Sequence, residues 1–312
     1  MTEFSRPRII DCHTVNRAVL TEPYALIEAE ARRYDRMVEE LAQRLAEQFT
    51  QRCVVLLSGP SASGKTTTAL RLQVGLQARG REVYTISLDN FYRGRGKAPR
   101  LPDGSYDYES VEALDLPLLQ ECMGQLIADG VTDLPIFDFH SGAPEPQRQR
   151  LSIGEDSVVI FEGIHALNPA LEQHLSGDNR FKIFINTLSP LCAGETEVLS
   201  SRDIRLVRRL LRDVRVRNSS LENTFDMWRQ VVRGEDLYLF PYVDTADAVF
   251  DTTHAYEAAL LGKELLPLLR QIPCKSPFIG TAQRLIEALS AFEPMWDVSL
   301  PEDCLLREFL GQ

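Results

Sequence analysis

Several features are scarce in this chain of 312 residues, and each shortage removes a class of function. No stretch approaches the roughly 20 apolar residues that a membrane-spanning helix requires. The N-terminus, MTEFSRPRIIDC, has no apolar core of signal-peptide length, so a cytoplasmic location with no membrane partner is expected. Positive charge is in deficit: 34 Lys and Arg against 45 Asp and Glu leave a net charge of -11. Sequence-independent binding of nucleic acid rests on many cationic contacts, so DNA and RNA are not expected partners. The six cysteines are scattered without a C-x-x-C pair, and no H-E-x-x-H occurs, so neither a disulfide framework nor a zinc site is supported. Reduced, mostly buried thiols are expected instead. No internal repeat or low-complexity tract interrupts a composition that is 44% apolar and 25% charged, ordinary for a soluble globular protein.

What is present begins with a helix. Residues Tyr24 to Phe49 carry Ile27, Ala31, Tyr34, Val38, Leu41 and Leu45 at alternating steps of four and three, the stripe of an amphipathic helix. It can lie on the domain that follows, with Glu39, Glu40, Arg44 and Glu47 in solvent, or pair with a second copy as a short coiled coil. From Cys53 strands and helices alternate. Strands are expected at Cys53–Ser58, Val83–Leu88, Ser157–Glu162, Phe181–Ile185 and Ala248–Phe250. Helices are expected at Lys65–Arg79, Ser110–Asp129 and Ile204–Val216. That alternation points to an α/β fold, a parallel sheet with helices on both faces. Beyond Thr253 the chain reads as helical, broken by Pro267, Pro273, Pro277, Pro294 and Pro301. The expected division is an N-terminal segment over 1–50, a nucleotide-binding domain over 51–253 and a helical extension over 254–312.

Between the first buried strand and its helix stands Gly59-Pro60-Ser61-Ala62-Ser63-Gly64-Lys65-Thr66, which fits G-x-x-x-x-G-K-[ST]. Glycines allow the backbone to curl until successive N–H groups point at phosphate oxygens, and the helix N-terminus adds its dipole. Lys65 reaches the β- and γ-phosphates and the Thr66 hydroxyl can ligate Mg²⁺. The chain thus reads as a P-loop user of nucleoside triphosphate. It has no N-K-x-D for guanine and no L-S-G-G-Q transporter signature. A kinase needs a carboxylate base near the γ-phosphate. Asp89 ends the second strand, at the edge where ligands bind in open parallel sheets; by position alone it can equally start a turn.

Longer segments carry a resemblance. Ser87-Leu88-Asp89-Asn90-Phe91-Tyr92-Arg93 is similar to the S-x-D-x-F-Y segment of the uridine kinase and phosphoribulokinase family. Ser105-Tyr106-Asp107-Tyr108-Glu109-Ser110 resembles its F-D-x-P segment, Leu134 to Phe139 its P-x-Y-D-F, and Val158 to Ile164 its V-I-x-E-G-I. Arg202 to Asp213 is similar to its arginine-rich lid helix, so the likeness runs from about Cys53 to Asp251. Gly163 to Pro169 and Leu305 to Phe309 resemble a bacterial branch of nucleoside kinases, whose N-terminal extension survives here at most as a remnant in residues 1 to about 23.

The resemblance implies an ATP- and Mg²⁺-dependent kinase for the 5′-hydroxyl of a nucleoside, uridine or cytidine foremost. Gly59, Ser61, Ala62, Ser63, Gly64, Lys65, Thr66, Thr67 and Arg217 would bind the nucleotide. Asp89 would be the base, with Lys65, Arg209 and Arg212 assisting transfer and Thr66, Asp89 and Glu162 holding the metal. Tyr92, Tyr106, Asp107, Phe137, His140 and Arg209 would meet the acceptor alongside Asp89. On the lid helix, Ile204, Val207, Leu211 and Val214 form an apolar stripe that leaves the arginines on the other faces, where phosphate binding, a solvated face and a basic patch are all open readings. At the base end the chain departs from the family: Phe137 replaces a tyrosine, Gly142 a histidine, and Arg217-Asn218-Ser219 stands for R-G-R. His140 is then either a base contact or an ordinary loop residue. A different small alcohol, a sugar phosphate or a purine nucleoside is the alternative acceptor, and a non-catalytic nucleotide-binding regulator the rival of another class. Relatives often form homo-oligomers, and the helix from Tyr24 offers an interface for one.

Overall fold

The computed structural model describes residues 7–173 and 175–311; the first six residues of the expected N-terminal segment, and with them part of the expected remnant, lie outside this range. In chain order the elements are β1 (Ile10–Asp11), α1 (Cys12–Thr21), α2 (Pro23–Gln48), β2 (Cys53–Ser58), α3 (Lys65–Gln77), β3 (Val83–Ser87), α4 (Leu116–Ala128), β4 (Val131–Asp138) and β5 (Ala143–Ser152). They continue with β6 (Val158–Glu162), β7 (Arg180–Asn186), β8 (Leu191–Ala193), β9 (Thr196–Leu199), α5 (Ser201–Arg215), α6 (Leu221–Tyr238), β10 (Ala248–Asp251), α7 (Glu257–Leu269), α8 (Ile279–Leu289) and α9 (Arg307–Leu310). The central sheet has five parallel strands in the order β10-β7-β2-β6-β3.

Strand β2 shows why this sheet is covered twice. All six of its residues are buried, and successive side chains point to opposite faces. Cys53, Val55 and Leu57 join the apolar cluster that includes α2, α3, α5, α7 and α8. Val54 and Leu56 join a second cluster with Leu119, Cys122, Met123 and Leu126 of α4. The expected α/β fold with helices on both faces is the one observed. The first cluster runs from Ile10 to Phe309, so the helices flanking the sheet at both ends of the chain share its core. Helix α2 lies on α3, where the Tyr34 and Thr68 hydroxyls are 2.7 Å apart and Val38 and Ala42 face Gly75, as the helix-on-domain reading expects. Among the described residues no helix is long and apolar enough to cross a membrane. All six cysteines are free, and four of them are buried.

Several expectations are corrected. Residues 110–115 are not helical: Ser110 caps a 3-10 turn at Val111–Ala113, and α4 starts only after Asp115, whose carboxylate accepts from the Leu118 N–H, with Pro117 in its first turn. Strand β3 stops at Ser87, and Leu88–Phe91 is a 3-10 turn carrying Asp89. Pro267 does not break α7; it sits in the last turn, where the lost backbone bond is near the helix end. The β4–β5 hairpin, α1, α6 and the small sheet β1-β8-β9 were not expected at all.

Residues 300–311 close over the P-loop side of the molecule. Leu305, 1% exposed, lies so near Gly64 that a Cβ there would overlap it, and Thr67 Oγ1 donates to Glu308 Oε2 at 2.9 Å. Leu305→Ala is expected to cost about 2–5 kcal/mol of stability, as buried leucine truncations do, and to weaken ATP binding because the wall behind Gly64 is lost. Urea unfolding and nucleotide titration of the variant measure the two effects.

Candidate active site

The P-loop curl is built from two unusual backbone residues and one close approach. Gly64 has φ +86° and Ala62 φ +60°, both left-handed. At Gly59 any Cβ would collide with the Ile185 carbonyl. A loop whose N–H groups turn inward turns its carbonyls outward, and these need donors. Helix α5 supplies them. Arg205 Nη1 donates to Ser61 O at 3.1 Å and Arg208 Nη1 to Ala62 O at 3.3 Å, while Thr252 Oγ1 donates to Ser63 O at 2.7 Å. Both arginines are fully buried in ion pairs, Arg205 with Glu235 (2.7 Å) and Arg208 with Glu257 (2.6 Å). For these two arginines neither the solvated-face nor the basic-patch reading of α5 holds, because the helix is sunk among α6, α7 and α9.

A cavity of about 240 Å³ opens at the carboxyl ends of β3 and β6. It is lined by Ser61, Ala62, Lys65 and Thr66 of the P-loop, Asp89, Glu162, and Arg209, Arg212 and Arg217 at the end of α5. The motifs scattered over the sequence therefore converge on one site. Lys65 Nζ rests on Pro60 O at 3.2 Å, and Arg209 Nη1 donates to Ser61 Oγ at 2.8 Å. The Ser61 N–H, expected to face phosphate, donates to Glu235 Oε1 at 2.9 Å. Asp89 opens onto the cavity yet has protein on most sides; this partial desolvation raises its pKa above the ordinary carboxylate value, against the pull of Lys65 and Arg217. Glu162 is raised for the same reason, opposed chiefly by Lys65.

The remaining sequence-predicted residues stand apart from the cavity lining. Gly59, Ser63 and Gly64 shape the loop, and Thr67 is engaged by Glu308. Tyr92 stacks obliquely on Phe137 at 5.9 Å, and it lines a neighbouring groove of about 470 Å³ with Asn90, Arg93, Pro135 and Arg148. Phe137 in turn meets Phe139 at 5.1 Å. Tyr106 lies under the Arg100 guanidinium, 4.4 Å from its ring. Asp107 is 5% exposed and accepts from the Tyr238 hydroxyl at 2.7 Å. His140 is exposed in the hairpin turn, its N–H bonded to Asp138. Asn218, where the family has glycine, keeps a left-handed φ of +51°, which asparagine tolerates.

A model of the phosphoribulokinase / uridine kinase family matches residues 54–258. The chain belongs to that family. It is 28% identical over 197 residues to uridine-cytidine kinase B of Dictyostelium discoideum, covering 63% of this chain and 73% of that protein. To a uridine kinase of Deinococcus deserti it is 27% identical over 208 residues, covering 66% of this chain and 91% of that one. Among solved structures, one described as a possible uridine kinase from Bacillus stearothermophilus aligns at TM-score 0.47 and 19% identity, over 69% of this chain and 97% of that chain. Like the family, the chain is a phosphotransferase with an alcohol group as acceptor.

Four lining residues were given no role by sequence reasoning: Glu109, Gly163, Ile164 and Val231. Gly163 and Ile164 follow Glu162 directly, and Val231 belongs to the unforeseen α6. Glu109 is two residues past Asp107 in a segment already singled out. Burial pushes its carboxyl up to about 7, with Arg209 opposing and Glu235, Asp107 and Asp89 adding to the rise.

Two outcomes follow from these pairs. Glu235→Ala strands Arg205 without its buried partner and is expected to cost about 3–5 kcal/mol, whereas joint replacement by Met and Leu should recover a large part; chemical denaturation compares them. For Glu109, the native state holds a proton that the unfolded chain loses above its ordinary value of 4.5. Stability therefore falls as pH rises from there to about 7, and the penalty is complete above that point. Glu109→Gln is expected to melt at a higher temperature than the parent at pH 8, and the gap should close as pH falls toward 4.5.

Proposed function

We propose that this chain transfers the γ-phosphate of ATP to the 5′-hydroxyl of a nucleoside, with uridine or cytidine the first acceptors. The observation that carries this reading is the single cavity in which Asp89 shares walls with Lys65 and Thr66 of the P-loop and with Arg209, Arg212 and Arg217. The names of the relatives supply the nucleoside, and the geometry supports the direction of transfer.

In this reading Asp89 takes the proton of the acceptor hydroxyl while its oxygen bonds to the γ-phosphorus. The bond to the β–γ bridging oxygen breaks, and ADP departs. Partial desolvation makes Asp89 a stronger base than a fully solvated aspartate. Lys65 and the three arginines offset charge on the transferring group, which is where catalysis of a loose transition state gains most. The donor set for Mg²⁺ is Thr66, Glu162 and Asp89, all oxygen. Two carboxylates and a hydroxyl fit a hard cation that completes its shell with water and phosphate. Among the described residues no cluster of three or more His, Cys, Asp or Glu side chains is placed to hold a metal ion by itself. When bound, Mg²⁺ would neutralise β- and γ-phosphate oxygens.

A second acceptor class has its own support. Where the family carries a histidine in the base pocket, Gly142 has φ +68° with the Arg95 side chain packed against it. Together with Phe137, which lacks the tyrosine hydroxyl, this leaves fewer groups to choose a base. A purine nucleoside, a sugar phosphate or another small alcohol is the alternative.

ADP release with ATP and Mg²⁺ over a panel of nucleosides, pentoses and sugar phosphates tests the proposal. Turnover stimulated by a nucleoside, and reduced by about 10²–10⁴-fold in Asp89→Asn with ATP still bound, is the expected outcome. Response to a non-nucleoside alone refutes the acceptor. ATP binding with no turnover across the panel would mark a regulator instead.

A further inference from the structure

Three carboxylates line the cavity, and only two have a place in the reaction above. Glu162 lies on the phosphate side: Lys65, Ser87, Asp89 and Glu308 act on it. Glu109 is set differently. The charges acting on it are Arg209, Glu235, Asp107 and Asp89, and Tyr92 in turn feels both Asp89 and Glu109. Glu109 shares the cavity lining with Asp89, and a carboxylate repels the phosphates of a nucleotide, which leaves the acceptor as the group it can meet.

The carboxylate that the family pattern points to for the sugar is Asp107. Here it accepts from Tyr238, has the Arg233 guanidinium at 3.8 Å, and is absent from the cavity lining. Glu109 does line the cavity, and among the described residues its carboxylate takes no hydrogen bond. Its stem is nevertheless held: α6 is pared to glycine at Gly234, where a Cβ would overlap Glu109 Cβ, and the next residue, Glu235, anchors the P-loop. Behind this wall His165 is 1% exposed and lies near Asp107 and the Glu109 carbonyl. Buried polar groups left unpaired lower stability and cluster at functional sites. A cavity-lining carboxylate with no hydrogen bond among the described residues still has hydrogen bonds to make.

We infer that Glu109 recognises the acceptor, accepting hydrogen bonds from adjacent hydroxyls such as the vicinal diol of a ribose. The inference rests on the nucleoside-kinase reading for the ribose and on the cavity alone for the polyol. A cationic acceptor is disfavoured, since Lys65, Arg209, Arg212 and Arg217 already surround the space. A neutral polyol meets the carboxylate without opposing them.

The test measures KM for the acceptor and for ATP in wild type and in Glu109→Gln, with the best nucleoside and its 2′-deoxy and 3′-deoxy forms. At pH 8, where the Glu109 carboxyl is ionised, loss of a charge-assisted hydrogen bond should raise acceptor KM about 10–100-fold, with ATP KM within about twofold. The penalty should shrink on whichever deoxynucleoside lacks the contacted hydroxyl, a pattern that a general loosening of the fold does not produce. Unchanged acceptor KM, or equal losses for all three nucleosides, overturns the inference while the nucleoside reading survives. If a non-nucleoside polyol is the substrate and Glu109→Gln raises its KM alone, the nucleoside reading fails and Glu109 keeps its role. No turnover of any acceptor by wild type sinks both.

Discussion

The outward-facing carbonyls of the P-loop are the constraint on which the site depends. Curling the backbone around phosphate leaves Ser61, Ala62 and Ser63 with carbonyl groups directed into protein, and each is met by a side chain from a distant element. Arg205 and Arg208 meet two of them only because Glu235 and Glu257 balance their charge in a dry interior. A buried ion pair seldom adds net stability by itself, but one left without its partner is costly. The two pairs therefore act as fixed struts, tying α5 to α6 and α7 and the phosphate loop to all three. Arg209, Arg212 and Arg217, which follow Arg208 in the chain and share Asp213 as an ion-pair partner, meet no P-loop carbonyl and face the cavity.

This division of labour along one helix also explains what the sequence could and could not reveal. The run of arginines in α5 and its apolar stripe are local patterns, so the helix was readable. Which arginines are struts depends on acids 30 and 49 residues away, and no local period records that pairing. The β4–β5 hairpin escaped notice because β5 reads Ala-Pro-Glu-Pro-Gln-Arg-Gln-Arg and is exposed along nearly all its length, with no buried face to impose alternation. The parallel strands were plain for the opposite reason: burial on both faces forces continuous apolar runs such as that of β2.

At the site itself, the P-loop was marked far more sharply in the sequence than the rest of the cavity lining. Grip on phosphate needs particular backbone shapes, and those shapes restrict residue type at Gly59 and Gly64. Recognition of an acceptor needs only a carboxylate or an aromatic ring at the right point in space, and several neighbours in a short loop can fill that need. Asp107 and Glu109 are two residues apart; one is tied to Tyr238 and the other is left facing the cavity. That distinction is made by α6, through Tyr238 and Gly234, an element with no clear signature of its own.

The contact between Thr67 and Glu308 joins residues 241 positions apart. On a ribosome adding about 5–20 residues per second, the phosphate loop emerges some ten to fifty seconds before the segment that backs Gly64 and bonds Thr67. Through that interval the nascent chain carries a nucleotide grip with one wall missing, and the apolar surface destined for Leu305 stays uncovered. The order of synthesis thus makes the backing of the phosphate loop among the last pieces of the core to be put in place.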